Sequence, residues 1–183
     1  MDVRTALLTR CSPPKLTEPA PDDAQLEAML QAAVRAPDHG RLAPWRFLVL
    51  RGAARELLAD AMAADLREKR PDAPAEEIAM ARNKPLRSPL LVVAATAVRE
   101  HPKVPALEQI TATAAAVQNL WIQAHAMGFG MMWKTGPAAY SARVKAALGL
   151  DGGDTIVGIL HLGTAAAPGI VREPEVAAVV RHL

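Results

Sequence analysis

The sequence predicts one domain of the α/β or α+β class, with helices covering a sheet. Three observations carry that reading. Residues 90–98, LLVVAATAV, form a near-continuous apolar run, the mark of a strand covered on both faces. Residues 22–36 place Leu26, Met29, Leu30, Ala33 and Val34 at helical spacing. Strand-like and helix-like runs alternate along the chain, with four strand candidates and at least five helices, which is the pattern of a layered fold. The 183 residues suffice for a single domain, 1–183, with a real core.

The elements follow in order. Residues 2–9 read as a short helix with Val3, Ala6 and Leu7 on one side. Residues 13–21 are a proline-rich extended linker. Asp22 and Asp23 can cap the next helix, and Pro37 stops it. Residues 45–51 form a strand that Gly52 ends, and 53–70 an amphipathic helix. PAEEIAMARNKP adds a helical turn or two. The strand at 90–98 leads through the loop REHPKVPALEQ into an alanine-rich helix over about 108–127. That helix is apolar nearly all round, so it must be buried, and a partner subunit is a natural place for it. GMMWKT is a third strand, 141–148 a helix, DGGD a turn and 155–161 the last strand. The tail, with Pro168 and Pro174, has no strong period and is expected to extend across neighbouring structure. There is no internal repeat and no internal domain boundary.

Composition excludes several functions. Apolar residues make up 51% but aromatics only 3%, so alanine does much of the filling. A net charge of +2 is too small to argue for nucleic acid, though it suits an anionic ligand. The single cysteine, Cys11, excludes an intrachain disulfide and a thiolate cluster, and suits a reducing cytoplasm. The opening MDVRTALLTR lacks the long apolar stretch of a signal peptide, and a cytoplasmic location is expected. Thr111, Thr113, Gln118, Asn119, Gln123 and His125 interrupt 110–127, which argues against a membrane span. The histidines at 39, 101, 125, 161 and 182 lack ligand spacing, so no metal site is expected. GFGMMWKTG fails as a dinucleotide fingerprint and as a Walker loop, because Trp133 stands where each needs glycine. Thr111, Gln118 and His125 fall seven apart and are expected to form a row of interface hydrogen bonds.

Three pieces line up in order: TRCS at 9–12, RAPDHGRLAPW at 35–45, and QAHAMGFGMMWKTG at 123–136. With HPKVPALEQ and IVGILHLGT between and after them, the set resembles the FMN-dependent nitroreductase family, closest to its small-chain bacterial NAD(P)H nitroreductases. The resemblance implies an α+β fold with a mostly antiparallel or mixed sheet of about four to five strands flanked by helices. It implies an intertwined homodimer with FMN at the subunit interface. It also implies NAD(P)H as donor and a small electrophilic acceptor, such as a nitroaromatic, a quinone or an activated alkene. The alternatives are flavin fragmentation, reductive dehalogenation or a non-catalytic flavin-binding module. No catalytic side chain is required, because the flavin carries the chemistry.

By the same resemblance, Arg10, Cys11 and Ser12, and then Arg35 and His39, lie against the flavin. Trp133, Lys134 and Thr135 would come from the other subunit. Gln123, Ala124, His125, Ala126, Met127 and Gly128 would lie near the nicotinamide donor. The residue types suit these places. Arginine binds phosphate through paired charge-assisted hydrogen bonds, and Ser12 adds a hydroxyl donor. A cation stabilises reduced flavin near N1 and O2, and the backbone of Thr135 or Gly136 could donate to N5. Pro44, Met131 and Met132 are expected as apolar walls. Ala43 stands where many relatives have glutamine before Pro-Trp, which leaves the contacts to the pyrimidine ring open.

Overall fold

The computed structural model describes residues 1–173 and 175–183; Pro174 of the tail lies outside them. The chain begins with α1 (Val3–Thr9), whose N-cap Asp2 accepts from the Thr5 amide. The two-residue strand β1 (Leu16–Thr17) precedes α2 (Asp23–Ala33). A full capping box starts α2, with Asp22 and Gln25 each accepting from the other's amide. Then come β2 (Trp45–Arg51), α3 (Ala54–Lys69), α4 (Ala75–Asn83), β3 (Leu90–Thr96) and the long α5 (Ala106–Ala126). β4 (Gly130–Lys134), α6 (Ala142–Ala147) and β5 (Thr155–Ala165) complete the domain.

The sheet runs β1-β5-β3-β2, with β4 also paired to β5, and every pairing is antiparallel. The fold is therefore α+β, and the mixed-sheet alternative falls away. β5 is the spine: β3 lies along one side, and β4 followed by β1 along the other.

β3 is buried at all seven positions, as its apolar run predicts. Its alternating side chains feed two cores. Leu90, Val92 and Ala94 join Met29, Leu120 and Trp121 beneath α2 and α5. Leu91, Val93 and Ala95 join Leu58, Val144 and Ile159 beneath α3 and α6. Each large side chain so buried contributes roughly 1.5–3 kcal/mol.

Several boundaries differ from expectation for local reasons. The 13–21 linker is extended, but Leu16 and Thr17 in it pair with Ala165 and Thr164, so β5 runs four residues past His161. α5 begins at Ala106, since Pro105 serves as its N-cap, where a missing N–H costs nothing. The polar row on α5 is not one interface. Thr111 donates to the Glu108 carbonyl of its own helix, whereas His125 bonds Thr9 of α1. Among the described residues, no helix is long and apolar enough to cross a membrane. The tail crosses the chain after α1: a Cβ on Gly169 would stand 2.7 Å from the Cys11 sulfur, so a larger residue there would have to displace the Cys11 side chain.

Candidate active site

α1 ends at Arg10 because Pro13 and Pro14 follow and cannot continue a helix. The Arg10 guanidinium lies over the Trp121 ring of α5, 4.1 Å from its centroid. Arg10, Cys11 and Ser12 open into a cleft of about 620 Å³, closed on the far side by Ile170 and Arg172 of the tail. The three sequence-predicted residues thus come together. Arg172 joins them unannounced, because a tail without periodicity gives no signal.

β4 leads away from this cleft. A Cβ on Gly130, at its start, would meet Pro13 and Leu16 within 2.8 Å. β4 pairs only with β5 among the described residues, which leaves its other edge unpaired. Four steps along the strand, about 13 Å away at 3.3 Å per residue, Lys134 opens a second cavity. It holds about 400 Å³ and is lined by Lys84, Arg87, Lys134, Thr135, Gly136 and His161. Gly136 has φ 70°, a conformation that lets the backbone turn here at no steric cost.

Among the described residues, none of Arg10, Lys84, Arg87, Lys134 and Arg172 pairs with a carboxylate. The crowding is felt in the titrations. Burial, then Arg87 and Lys84, hold the Lys134 ammonium below its ordinary pKa. Burial, then Lys134 and Arg87, push His161 down to about 4, so it is neutral at pH 7. Its Nδ1 shares a 2.7 Å hydrogen bond with the buried Ser88 hydroxyl. Lys84, Arg87 and His161 escaped the sequence reading. RNKPLRSP looks like the solvated end of a helix, and its one signal is two cations flanking a proline just before a fully buried strand.

Trp133 faces inward. Its Nε1 donates to the Val157 carbonyl at 3.0 Å, and its ring meets Trp121 edge-on at 6.4 Å. Only its backbone is free for a ligand. Met131 is core at 0% exposure and cannot wall a site, leaving Met132 half-buried beside it.

Arg35 and His39 lie elsewhere. Arg35 is exposed after α2, and His39 bonds Glu108 in the first turn of α5. Gln109, 1% exposed, accepts from the Arg99 amide and donates to the carbonyls of Arg99 and Val104. Val104 in turn packs on Gly40. Arg41 and Ala43 hold φ of 54° and 46°, a left-handed conformation that costs non-glycine residues on the order of 1 kcal/mol each. From Glu108 to His125, beside Arg10, is 125 − 108 = 17 residues of helix, about 26 Å at 1.5 Å per residue. Arg35 lies between the two ends: its amide and the Asn119 side chain of α5 donate to the same Ala32 carbonyl. One chain therefore holds residues 10–12 and 133–135 joined along β4, and His39 at the far end of α5.

The 123–128 segment is divided. His125 and Gly128 line a cavity of about 360 Å³ together with Thr9 and Cys11. Thr9 Oγ1 donates to the Thr5 carbonyl, so it accepts from His125 Nε2–H at 2.9 Å. Burial, and then Arg10, lower the His125 pKa. Ala124 is fully buried against the sheet and cannot touch a donor with its side chain. Gln123 and Met127 close the helix through a carbonyl–amide bond, and Ala126 is half-buried beside them.

The sequence and the fold match known proteins. The Nitroreductase family profile matches residues 9–164. A protein of Escherichia coli K12 provisionally named as an NAD(P)H nitroreductase, YdjA, is 39% identical over 169 residues, 90% of this chain and 88% of its own. The nitroreductase-like protein of Bacillus cereus superposes with a TM-score of 0.81 at 28% identity, covering 100% of this chain and 96% of that one. A nitroreductase-type protein of Desulfovibrio desulfuricans, solved with FMN, shares the fold with a TM-score of 0.74 at 23% identity, covering 100% and 98%. Since the match runs from the end of α1 to the last residues of β5, taking in Arg10, Cys11 and Ser12, the second cleft and the strand between them, this chain belongs to the nitroreductase family.

Proposed function

We propose that this protein is an FMN-dependent oxidoreductase that takes hydride from NAD(P)H and reduces a small electrophilic acceptor such as a nitroaromatic or a quinone. One observation carries the reading: cations without a carboxylate partner among the described residues stand at both ends of the β4 edge that faces away from β5. That donor set fits FMN. Arg10, Ser12 and Arg172 suit the phosphate, since arginine and hydroxyl groups bind it by charge-assisted hydrogen bonds. Lys84, Arg87 and Lys134 suit the ring's N1–O2 edge, and the Thr135 and Gly136 amides suit N5. Bound FMN would supply hydride acceptance and electron delivery; the chain supplies position and charge. The lowered affinity of Lys134 for its proton is relieved when an anionic edge faces it.

The working unit is a homodimer in this reading. The 26 Å along α5 between His39 and the Arg10 cleft exceeds what one flavin bridges, so His39, and Arg35 on the same stretch of chain, would come from a second copy, and residues 133–135 from the same copy as Arg10. Val3, Leu7 and Leu8 of α1, each more than half exposed, are apolar surface for such a partner to cover. The donor would approach near His125 and Gly128, and the free Cys11 suits the reducing cytoplasm.

The test is direct. Purified protein should be yellow, bleach anaerobically with NADH or NADPH, and regain colour with a nitroaromatic or quinone. A colourless protein that does not take up FMN ends the proposal; a yellow one that neither nucleotide bleaches reduces it to flavin binding. Light scattering at twice 19.4 kDa is expected, and a flavin-loaded monomer would refute the shared site.

A further inference from the structure

Trp121 sits near the C-terminal end of α5 and is 8% exposed, a core residue by location. Its ring edge meets Trp133, whose own ring is fixed by the bond to Val157. Trp121 is therefore rigidly set, and the face it presents carries the Arg10 guanidinium. Arg10 has no carboxylate partner among the described residues. A free arginine side chain keeps about 2 kcal/mol of rotamer entropy, which must be lost when it binds an anion. A guanidinium held over an aromatic face has lost much of that freedom already. Its N–H donors lie in its own plane and stay available.

We propose that Trp121 is a positioning residue for Arg10, and that through this pair the cleft selects phosphorylated flavin over the dephosphorylated form. The inference rests on the reading that Arg10 binds the FMN phosphate. Trp121 itself touches no ligand. It holds the cation at the mouth of the cleft, beside Ser12 and Arg172. No proton or electron moves in this role.

The experiment compares FMN with riboflavin, which has the same ring and ribityl chain without the phosphate. Kd values for both are measured by calorimetry on the deflavinated full chain and on R10A, W121L, W121F and the R10A/W121L double variant. R10A should weaken FMN about tenfold or more, the scale of a charge-assisted hydrogen bond, and leave riboflavin within about twofold. W121L should weaken FMN about three- to tenfold, the scale of a cation–π contact, with riboflavin again spared. W121F, which keeps an aromatic face, should recover most of the loss, and W121L should add nothing in the R10A background.

Equal loss of both flavins in W121L assigns Trp121 a structural role and overturns the inference, as does unchanged FMN affinity. If W121L does not fold, W121F decides: its poorer cation-binding face should weaken FMN alone by about twofold, and no selective loss overturns the inference. If R10A itself fails to separate FMN from riboflavin, the phosphate reading falls and takes the inference with it. Separation by R10A without separation by W121L sinks only the role of Trp121.

Discussion

At the N-terminal end of α5, Glu108 holds His39, and Gln109 gives its amide to the backbone of Arg99 and Val104. Along the β4 edge, Arg10, Lys84, Arg87 and Lys134 face clefts without a carboxylate partner among the described residues. The first region answers its polar groups from within the chain and so fixes a loop. The second leaves like charges close together, at a cost the folded chain alone does not offset. A brace gains nothing from a ligand; a socket of crowded cations is stabilised by an anion.

The largest expected effect lies in the brace. Gln109→Leu removes one buried hydrogen bond, to the Val104 carbonyl, and two part-buried ones to the Arg99 backbone, at about 1–3 kcal/mol for each group left unpaired away from water. Urea unfolding should show a loss of about 3 kcal/mol or more. A loss below about 1 kcal/mol would mean that water replaces the amide and that the two regions do not differ as described.

Next is the acid response of the socket. His161 has its pKa lowered to about 4, whereas the unfolded chain binds that proton near 6.5. The unfolded state therefore holds more protons between those values, and stability falls as pH drops from about 6.5 to 4. The loss amounts to roughly 3 kcal/mol, with no further change from this group below the window. His161→Gln should flatten that slope in denaturation curves taken across the window. An unchanged slope would assign the acid sensitivity to other groups.

A third prediction separates charge from packing. Arg10→Ala should lower FMN binding by about 1.5–3 kcal/mol, while Cys11→Ala leaves it nearly intact. Equal flavin retention after dialysis would reduce Arg10 to a surface charge and erase the contrast between the regions. The smallest effect belongs to Glu108→Gln, because both partners of the His39 pair are about half exposed. Such a pair contributes about 0–1 kcal/mol, so the melting temperature should hardly move. A large drop would show that the brace depends on charge rather than on Gln109.

Much of the fold is legible because its signals are local. LLVVAATAV reads as a strand covered on both faces, and Asp22 and Asp23 ahead of the Leu26, Met29 and Leu30 repeat announce a helix start. Leu16 and Thr17 are not legible as a strand, because two residues have no period and their partner lies almost 150 positions away. The site divides on the same line. Arg10, Cys11 and Ser12 stand in a contiguous motif and meet in one cleft, whereas Lys84, Arg87, His161 and Arg172 come from three distant stretches and read singly as solvated or core residues. Trp121 occupies an ordinary apolar position of α5, and nothing in the periodicity says that its face holds a cation. Which end of α5 each group occupies is also invisible until the helix length sets the distance.

The edge-on contact between Trp121 and Trp133 has an optical consequence. Two of the chain's three tryptophans stand within 6.4 Å of each other, one beneath Arg10 and one on the strand between the clefts. Indole emission overlaps flavin absorption, so a ring seated along β4 would drain their excited states by energy transfer. The native protein is thus its own gauge of occupancy: emission near 121 and 133 dims as the site fills and returns as it empties, with no label attached.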